Sequence, residues 1–145
     1  MAHSAFAAST GSPSQLASDH YQPGVCNIGP AEIARRRRAG HVGLLATAIL
    51  FAVLLAIDAP PVARLLLILP AAAAASGYLQ AWFKFCAGFG SRGLFNFGDV
   101  GTTEQVADDA ARARDRARAR QIGLASLAIG VVIGVLALLL AVVGV

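Results

Sequence analysis

The sequence predicts an all-α integral membrane protein with three transmembrane helices: a hairpin of two spans and a long third helix that extends into the cytoplasm. Hydrophobic residues make up 57% of the 145 residues and charged residues only 14%, whereas soluble domains carry about 25% charged residues. Three blocks, 40–58, 65–83 and 122–145, contain no charge other than Asp58. About 20 apolar residues are needed to cross roughly 30 Å of hydrocarbon, and the blocks match that length.

The basic residues predict the orientation of these spans. Of the twelve Lys and Arg residues, all but Arg64 precede the first block or lie between the second and the third. Segments beside membrane spans carry such an excess on the cytoplasmic side. We therefore predict a multi-pass protein of the prokaryotic cytoplasmic membrane, with its N-terminus inside and its C-terminus outside.

The N-terminal part divides by composition. Residues 1–24 are rich in Ala, Ser, Gly and Pro, which predicts a disordered tail without the apolar core of a signal peptide. Residues 25–39 are expected to form a cytoplasmic motif and a short basic helix. Pro30 suits its first turn, and Glu32 lies near its start, four residues before Arg36, as a favourable pair.

Prolines and small residues mark the second span. Pro60 and Pro61 end the first span and predict an outside turn over residues 59–64. Small residues in the middle of span 65–83 allow a neighbouring helix to approach closely. Residues 84–101 follow as an aromatic and glycine-rich cytoplasmic loop.

An arginine-rich helix over residues 102–121 is predicted to run directly into the third span. Thr102 and Gln105 fit a capping box at its start. In the third span, small residues at heptad spacing predict a smooth surface for helix packing, against either the second span or another subunit or copy. This surface comprises Gly123, Gly130, Gly134, Ala137, Ala141 and Gly144.

Aromatic residues cluster where the second span ends. Trp and Tyr collect at the membrane–water interface, and three more phenylalanines continue into the loop. We predict an interfacial loop that dips into the headgroup layer or packs against a partner, with a merely collapsed loop as the alternative. Its residues are Trp82, Phe83, Phe85, Phe89, Arg92, Phe95 and Phe97.

Cys26 and Cys86 both fall on the predicted cytoplasmic side, where thiols stay reduced. With His41 they make three weak candidates for metal ligands, whereas a structural zinc site uses four. We expect neither a metal nor a cofactor. The hairpin nevertheless predicts that the two cysteines lie close together, if the chain folds back along the membrane at Gly40 and Gly43.

The arginines form the last candidate surface. They are either solvated topology signals or contacts for anionic headgroups, worth about 1 kcal/mol per basic residue near the membrane surface. Nucleic acid is not expected as a partner, because no folded binding module accompanies the run. The residues are Arg35, Arg36, Arg37, Arg38, Arg112, Arg114, Arg116, Arg118 and Arg120.

The sequence shows no catalytic constellation, and no span carries Asp, Glu, Lys, Arg or His in its interior. We therefore predict that the protein is not an enzyme. The predicted function is that of a structural, accessory or assembly subunit of a membrane complex. Its partners would be membrane lipids with anionic headgroups, and other membrane subunits or further copies. The alternative is a cytoplasmic-face binding site for anionic lipid, metal or small cofactor, built by Cys26, Cys86 and the glycine-rich loop.

Overall fold

The computed structural model describes residues 20–144. The predicted tail therefore lies outside the described residues as far as residue 19. The elements are helix α1 (Pro30–Ala56), a 3-10 helix (Pro61–Leu67), α2 (Ile68–Trp82), α3 (Ala87–Arg92), strand β1 (Leu94–Phe95), strand β2 (Glu104–Gln105) and α4 (Asp109–Val142). Three helical segments, α1, Pro61–Trp82 and α4, are long and apolar enough to cross a membrane. The prediction of a mainly helical chain with three such helices is confirmed.

Helix α2 lies between the other two long helices. It packs against α1 on one side and α4 on the other, and within the described chain α1 and α4 share no comparable interface. At the end of α1, Leu54, Leu67 and Ala137 form a small apolar cluster that joins α1, the 3-10 helix and α4. Much of the apolar surface of α1 and α4 is exposed.

Glycines allow α1 and α2 to touch backbone to backbone. A Cβ added to Gly77 would lie 2.4 Å from the backbone nitrogen of Gly40, and one added to Gly43 would lie 2.7 Å from that of Ala74. Backbone atoms in a helix cannot move aside, so these positions require glycine. Helix α1 runs without a break from Pro30 to Ala56, through Gly40 and Gly43. The predicted separate basic helix that folds back at these glycines is wrong.

Helix α4 packs on the 3-10 helix and the start of α2 through only part of the predicted small-residue surface. Gly130 and Gly134 are in close contact with Ile68, and Ala137 is buried. Gly123 and Gly144 have no described neighbour that an added Cβ would meet within 4 Å, and Ala141 is half-buried.

The helical period explains this division of the predicted surface. The buried stripe of α4 recurs every three or four residues and passes through Ile122 rather than Gly123. Within the chain, therefore, only the middle of the predicted surface is an interface between helices. Its use by another subunit or copy stays a prediction.

The start of α4 differs from the prediction. Residues Glu104–Gln105 pair as β2 with β1, and the Thr102 hydroxyl donates to the side chain of Asn96. The N-cap is Asp108, whose carboxylate accepts hydrogen bonds from two backbone N–H groups of the first turn. The capping box at Thr102 and Gln105 is therefore wrong. The helix has 34 residues and is about 51 Å long.

The predicted turn over residues 59–64 is shorter in the structure, because the 3-10 helix already begins at Pro61. Arg64 belongs to that helix. Its guanidinium lies 5.5 Å from the centre of the Phe51 ring, and it donates a hydrogen bond to the carbonyl of Ala137. Arg64 thus links the 3-10 helix to α1 and α4 at this end of the molecule.

Candidate functional site: a polar cap and its cavity

The ends of α1, α2 and α4 that carry the basic residues are covered by a small folded cap. We use "arm" for residues 20–29 and "cap" for the arm together with residues 83–108. The arm runs beside the segment after β1: Gly29 N–H donates to the carbonyl of Asn96, and Asn96 N–H donates to that of Asn27. Tyr21 packs with Phe95, Val106 and Ala111 in the apolar centre of the cap.

A buried asparagine joins the arm to the end of α2. The Asn27 side chain accepts a hydrogen bond of 2.7 Å from Cys86 N–H and donates one of 3.1 Å to the Cys86 carbonyl. Asn27 N–H also donates to the carbonyl of Lys84. Since Asn27 is fully buried, loss of these partners would leave its amide unsatisfied.

A buried aspartate joins the arm to α4. Asp115 is completely inaccessible to solvent. Its carboxylate accepts hydrogen bonds from the Tyr21 hydroxyl at 2.6 Å and from Gly24 N–H at 2.7 Å. Burial, followed by the hydrogen bond to Asp115, raises the pKa of Tyr21 well above its ordinary value. Residues 20–24 are therefore an ordered part of the fold, and the prediction of a disordered tail is wrong for them.

A third buried group lies at the start of α1. Glu32 is inaccessible to solvent and lies 3.4 Å from Arg35 and 3.7 Å from Arg36. The Arg36 guanidinium donates a 2.9 Å hydrogen bond to the Cys86 sulfur, which also accepts from the backbone N–H of Phe89. Arg36 thus links α1 to the segment after α2.

The structure brings together the segments that carry the two cysteines but gives the thiols different surroundings. Both are free. The Cys86 thiol is buried beside Arg36, whereas the half-buried Cys26 lies beside an open cavity. Burial raises the pKa of the Cys26 thiol, against the opposing effects of a backbone hydrogen bond with Ile28 and of the Lys84 ammonium.

The third metal candidate lies elsewhere. A nitrogen of His41 is 2.6 Å from the Tyr78 hydroxyl. Among residues 20–144 no group of three or more His, Cys, Asp or Glu side chains could hold a metal ion. The candidate set Cys26, Cys86 and His41 is therefore not assembled, since His41 is directed to α2.

The aromatic residues of the predicted interfacial loop have unequal exposure. Phe85 and Phe95 are buried, Phe85 against Ala119 and Ile122 of α4 and Phe95 in the apolar centre of the cap, so they are not available to the headgroup layer. Trp82 is 82% exposed, as a residue at the membrane interface would be. The others are Phe83, Phe89 and Phe97, which are half-buried, and Arg92, which is exposed.

The predicted arginine surface is also divided. Arg36 and two others are half-buried and bonded within the cap: Arg112 donates to the Val106 carbonyl, and the Arg118 guanidinium lies 4.3 Å from the centre of the Phe83 ring. The remaining side chains are exposed; these are Arg35, Arg37, Arg38, Arg114, Arg116 and Arg120.

A cavity of about 770 Å³ opens between the arm, the start of α1 and the end of α2. Apolar side chains, among them Ile33, Trp82 and Phe97, form much of its wall. Lys84 and Arg118 add positive charge, and no Asp or Glu belongs to the lining. Such an arrangement suits a molecule that has both an apolar part and an anionic group.

Sequence reasoning missed Asn27, Lys84 and Asp115 as residues that build this site. Two of them carried a signal: Lys84 is the only lysine of the chain, and Asp115 is the only acid within the arginine run. Comparison with protein-family models, with curated proteins and with solved structures finds no match to this chain.

Proposed function

We propose that this protein is a multi-pass membrane protein that acts as a structural, accessory or assembly subunit of a membrane complex. Its cap lies on the cytoplasmic side of the prokaryotic cytoplasmic membrane. The arrangement of charge supports this orientation, because Lys84 and every arginine except Arg64 belong to the cap or to the helix segments beside it. Arg64 alone would lie on the opposite side.

The observation that carries the proposal is that polar side chains in the cap and in the helix segments beside it, two of them fully buried, tie all three membrane helices together at one end. Asn27 connects the arm, which precedes α1, to the chain after α2. Asp115 connects the arm to α4, and Arg36 connects α1 to Cys86. Each of these groups is costly to leave unpaired. The cap therefore holds the three helices in a fixed relation, as a subunit that positions neighbouring helices requires.

The exposed apolar surface of the membrane helices supports the same proposal. Because α1 and α4 pack mainly on α2 and share no comparable interface with each other, large apolar side chains of the helices stay exposed, for example Leu69 on α2 and Leu124 on α4. In a bilayer these faces contact either lipid or the helices of a partner or a second copy. Interfaces of the second kind rely on close packing of small residues.

The test is the state of the protein in its own membrane, extracted with a mild detergent and weighed by native mass spectrometry. A subunit is expected to leave the membrane in a complex of constant stoichiometry. Asp115→Ala, which frees the arm from α4, should reduce the fraction in that complex, whereas the exposed Asp99→Ala should not. Recovery of a single chain, with lipid only, would refute the proposal.

Reporter fusions test the orientation separately. A fusion before residue 20 is expected to be active only with a cytoplasmic reporter, and one after residue 144 only with a reporter that requires the outside. A C-terminal fusion that is active in the cytoplasm would contradict both the orientation and the odd number of spans.

A further inference from the structure

We propose that the cavity beside the arm binds one anionic phospholipid, with the phosphate at Lys84 and Arg118 and the first part of an acyl chain along the apolar wall. This goes beyond the structural role and rests only on the placement of the chain in a membrane. Neither the cysteine pair nor the glycine-rich loop is needed for it.

The cavity lies at the same level along the membrane normal as the lipid headgroups. Gly40 faces Tyr78 at the point where the apolar part of α1 begins, which places these residues near the edge of the hydrocarbon. Trp82 is four residues further along α2, about 6 Å at 1.5 Å per residue. The headgroup layer is roughly 5–8 Å thick on each side of the bilayer, so Trp82 and the part of the cavity wall that it forms lie within it.

The charges of the cavity are available to an anion. Within residues 20–144, neither Lys84 nor Arg118 forms an ion pair with a carboxylate. The Arg118 guanidinium is held over the Phe83 ring, and its hydrogen bond to the neutral side chain of Gln121 is long, at 3.3 Å. A phosphate would therefore meet two cations, one of them a planar guanidinium that suits its geometry.

The remaining wall suits an acyl chain. Val25, Ile33, Trp82 and Phe97 line the cavity, and its volume of about 770 Å³ falls within the range of roughly 300–1,000 Å³ typical of small-molecule sites. A zwitterionic lipid would bring a choline cation toward Lys84 and Arg118, which disfavours it. The site is thus expected to prefer lipids that carry a net negative charge as well as an apolar chain.

Binding is tested with a short-chain phosphatidylglycerol added to the full-length protein in a non-ionic detergent, and retained lipid is counted by native mass spectrometry. The same protein is treated with N-ethylmaleimide, and the modified cysteines are mapped by peptide mass spectrometry. Because Cys26 lines the cavity, bound lipid is expected to slow its modification at least fivefold. Phosphatidylcholine of the same chain length, and inorganic phosphate, should give no such protection.

Two pairs of substitutions, each of which removes two positive charges, distinguish binding of lipid at this site from general electrostatic attraction of the lipid to the protein. Lys84→Gln with Arg118→Gln should raise the phosphatidylglycerol concentration for half-protection by about tenfold or more, because each removes a charge-assisted hydrogen bond. Arg116→Gln with Arg120→Gln, which alters exposed side chains of the same helix region, should change it less than about threefold.

A further variant tests the site without the charge substitutions of the first pair, in case those substitutions unfold the protein. Val25 is 57% exposed and lines the cavity, so Val25→Trp places a bulky indole at its rim with both cations and the cap's buried groups unchanged. It should abolish retention of phosphatidylglycerol. Retention equal to wild type in Val25→Trp, equal weakening by both charge pairs, equal protection by phosphatidylcholine, or protection by inorganic phosphate would each overturn the proposal.

Discussion

The contact between α1 and α2 leads to a sharp prediction for Gly77→Ala. The added Cβ would lie 2.4 Å from the nitrogen and 2.6 Å from the Cα of Gly40, and 2.9 Å from the carbonyl oxygen of Arg36. Ordinary contacts of a Cβ begin at 3.4 Å, so the two helices must separate by about 1 Å. A gap of that size forfeits about a quarter to a half of the dispersion energy of the atoms that line it.

The expected cost follows from these distances. Overpacking of a well-packed interface costs about 1–3 kcal/mol, and the better helix propensity of alanine returns up to about 1 kcal/mol. We therefore expect Gly77→Ala to lower the free energy of unfolding by about 1–2 kcal/mol. The measurement is unfolding by sodium dodecyl sulfate in mixed micelles, followed by circular dichroism.

Gly123→Ala provides the matched control in α4. No described atom lies within 4 Å of the Cβ that it adds, so the substitution should be neutral or stabilise the helix by up to about 1 kcal/mol. If Gly77→Ala proves no more destabilising than Gly123→Ala, the close contact between α1 and α2 is not present in the protein.

Three further predictions concern the arm and α4. Asp115→Ala leaves two half-buried donors, the Tyr21 hydroxyl and Gly24 N–H, without their carboxylate partner, at up to about 1–3 kcal/mol each, and should speed proteolysis within the arm at least tenfold, with Asp99→Ala as the unaffected control. The raised pKa of Tyr21 means that folding favours the neutral phenol: this stabilisation is complete below pH about 10 and is lost as the pH rises through the raised value. The difference in phenolate absorbance between wild type and Tyr21→Phe should therefore titrate above pH 10, and a midpoint at the ordinary value would contradict the hydrogen bond between Tyr21 and Asp115. Gly134→Leu should weaken helix packing, measured as the midpoint of unfolding in detergent, much more than Leu139→Ala, and equal effects would show that this face of α4 is not an interface.

The sequence predicted the three membrane helices because that property is local. Whether a segment can cross a membrane depends on the summed hydrophobicity and length of about 20 consecutive residues, and the blocks at 40–58, 65–83 and 122–145 meet both conditions without reference to the rest of the chain. The orientation is likewise argued from a simple count of basic residues, and it stays a prediction.

The boundaries of helices and strands were harder to predict from the sequence, since they depend on which of several local hydrogen bonds form in the fold. Thr102 and Gln105 have the spacing of a capping box, but Asn96 takes the Thr102 hydroxyl and β1 pairs with Gln105. The helix instead begins six residues later, where the Asp108 carboxylate accepts from the backbone N–H groups of Ala110 and Ala111. The local sequence pattern alone does not decide between two possible N-cap residues of the helix.

Only the tertiary structure decided the cap and its cavity. Tyr21 and Asp115 are 94 residues apart in sequence, and Asn27 meets Cys86 across 59 residues. A carboxylate among arginines looks solvated when only its neighbours in sequence are considered, yet Asp115 is buried because the arm covers it and supplies its hydrogen-bond donors. Burial of a polar group is tolerated only where distant partners satisfy it, so the identity of such a site is settled by long-range contacts and not by local composition.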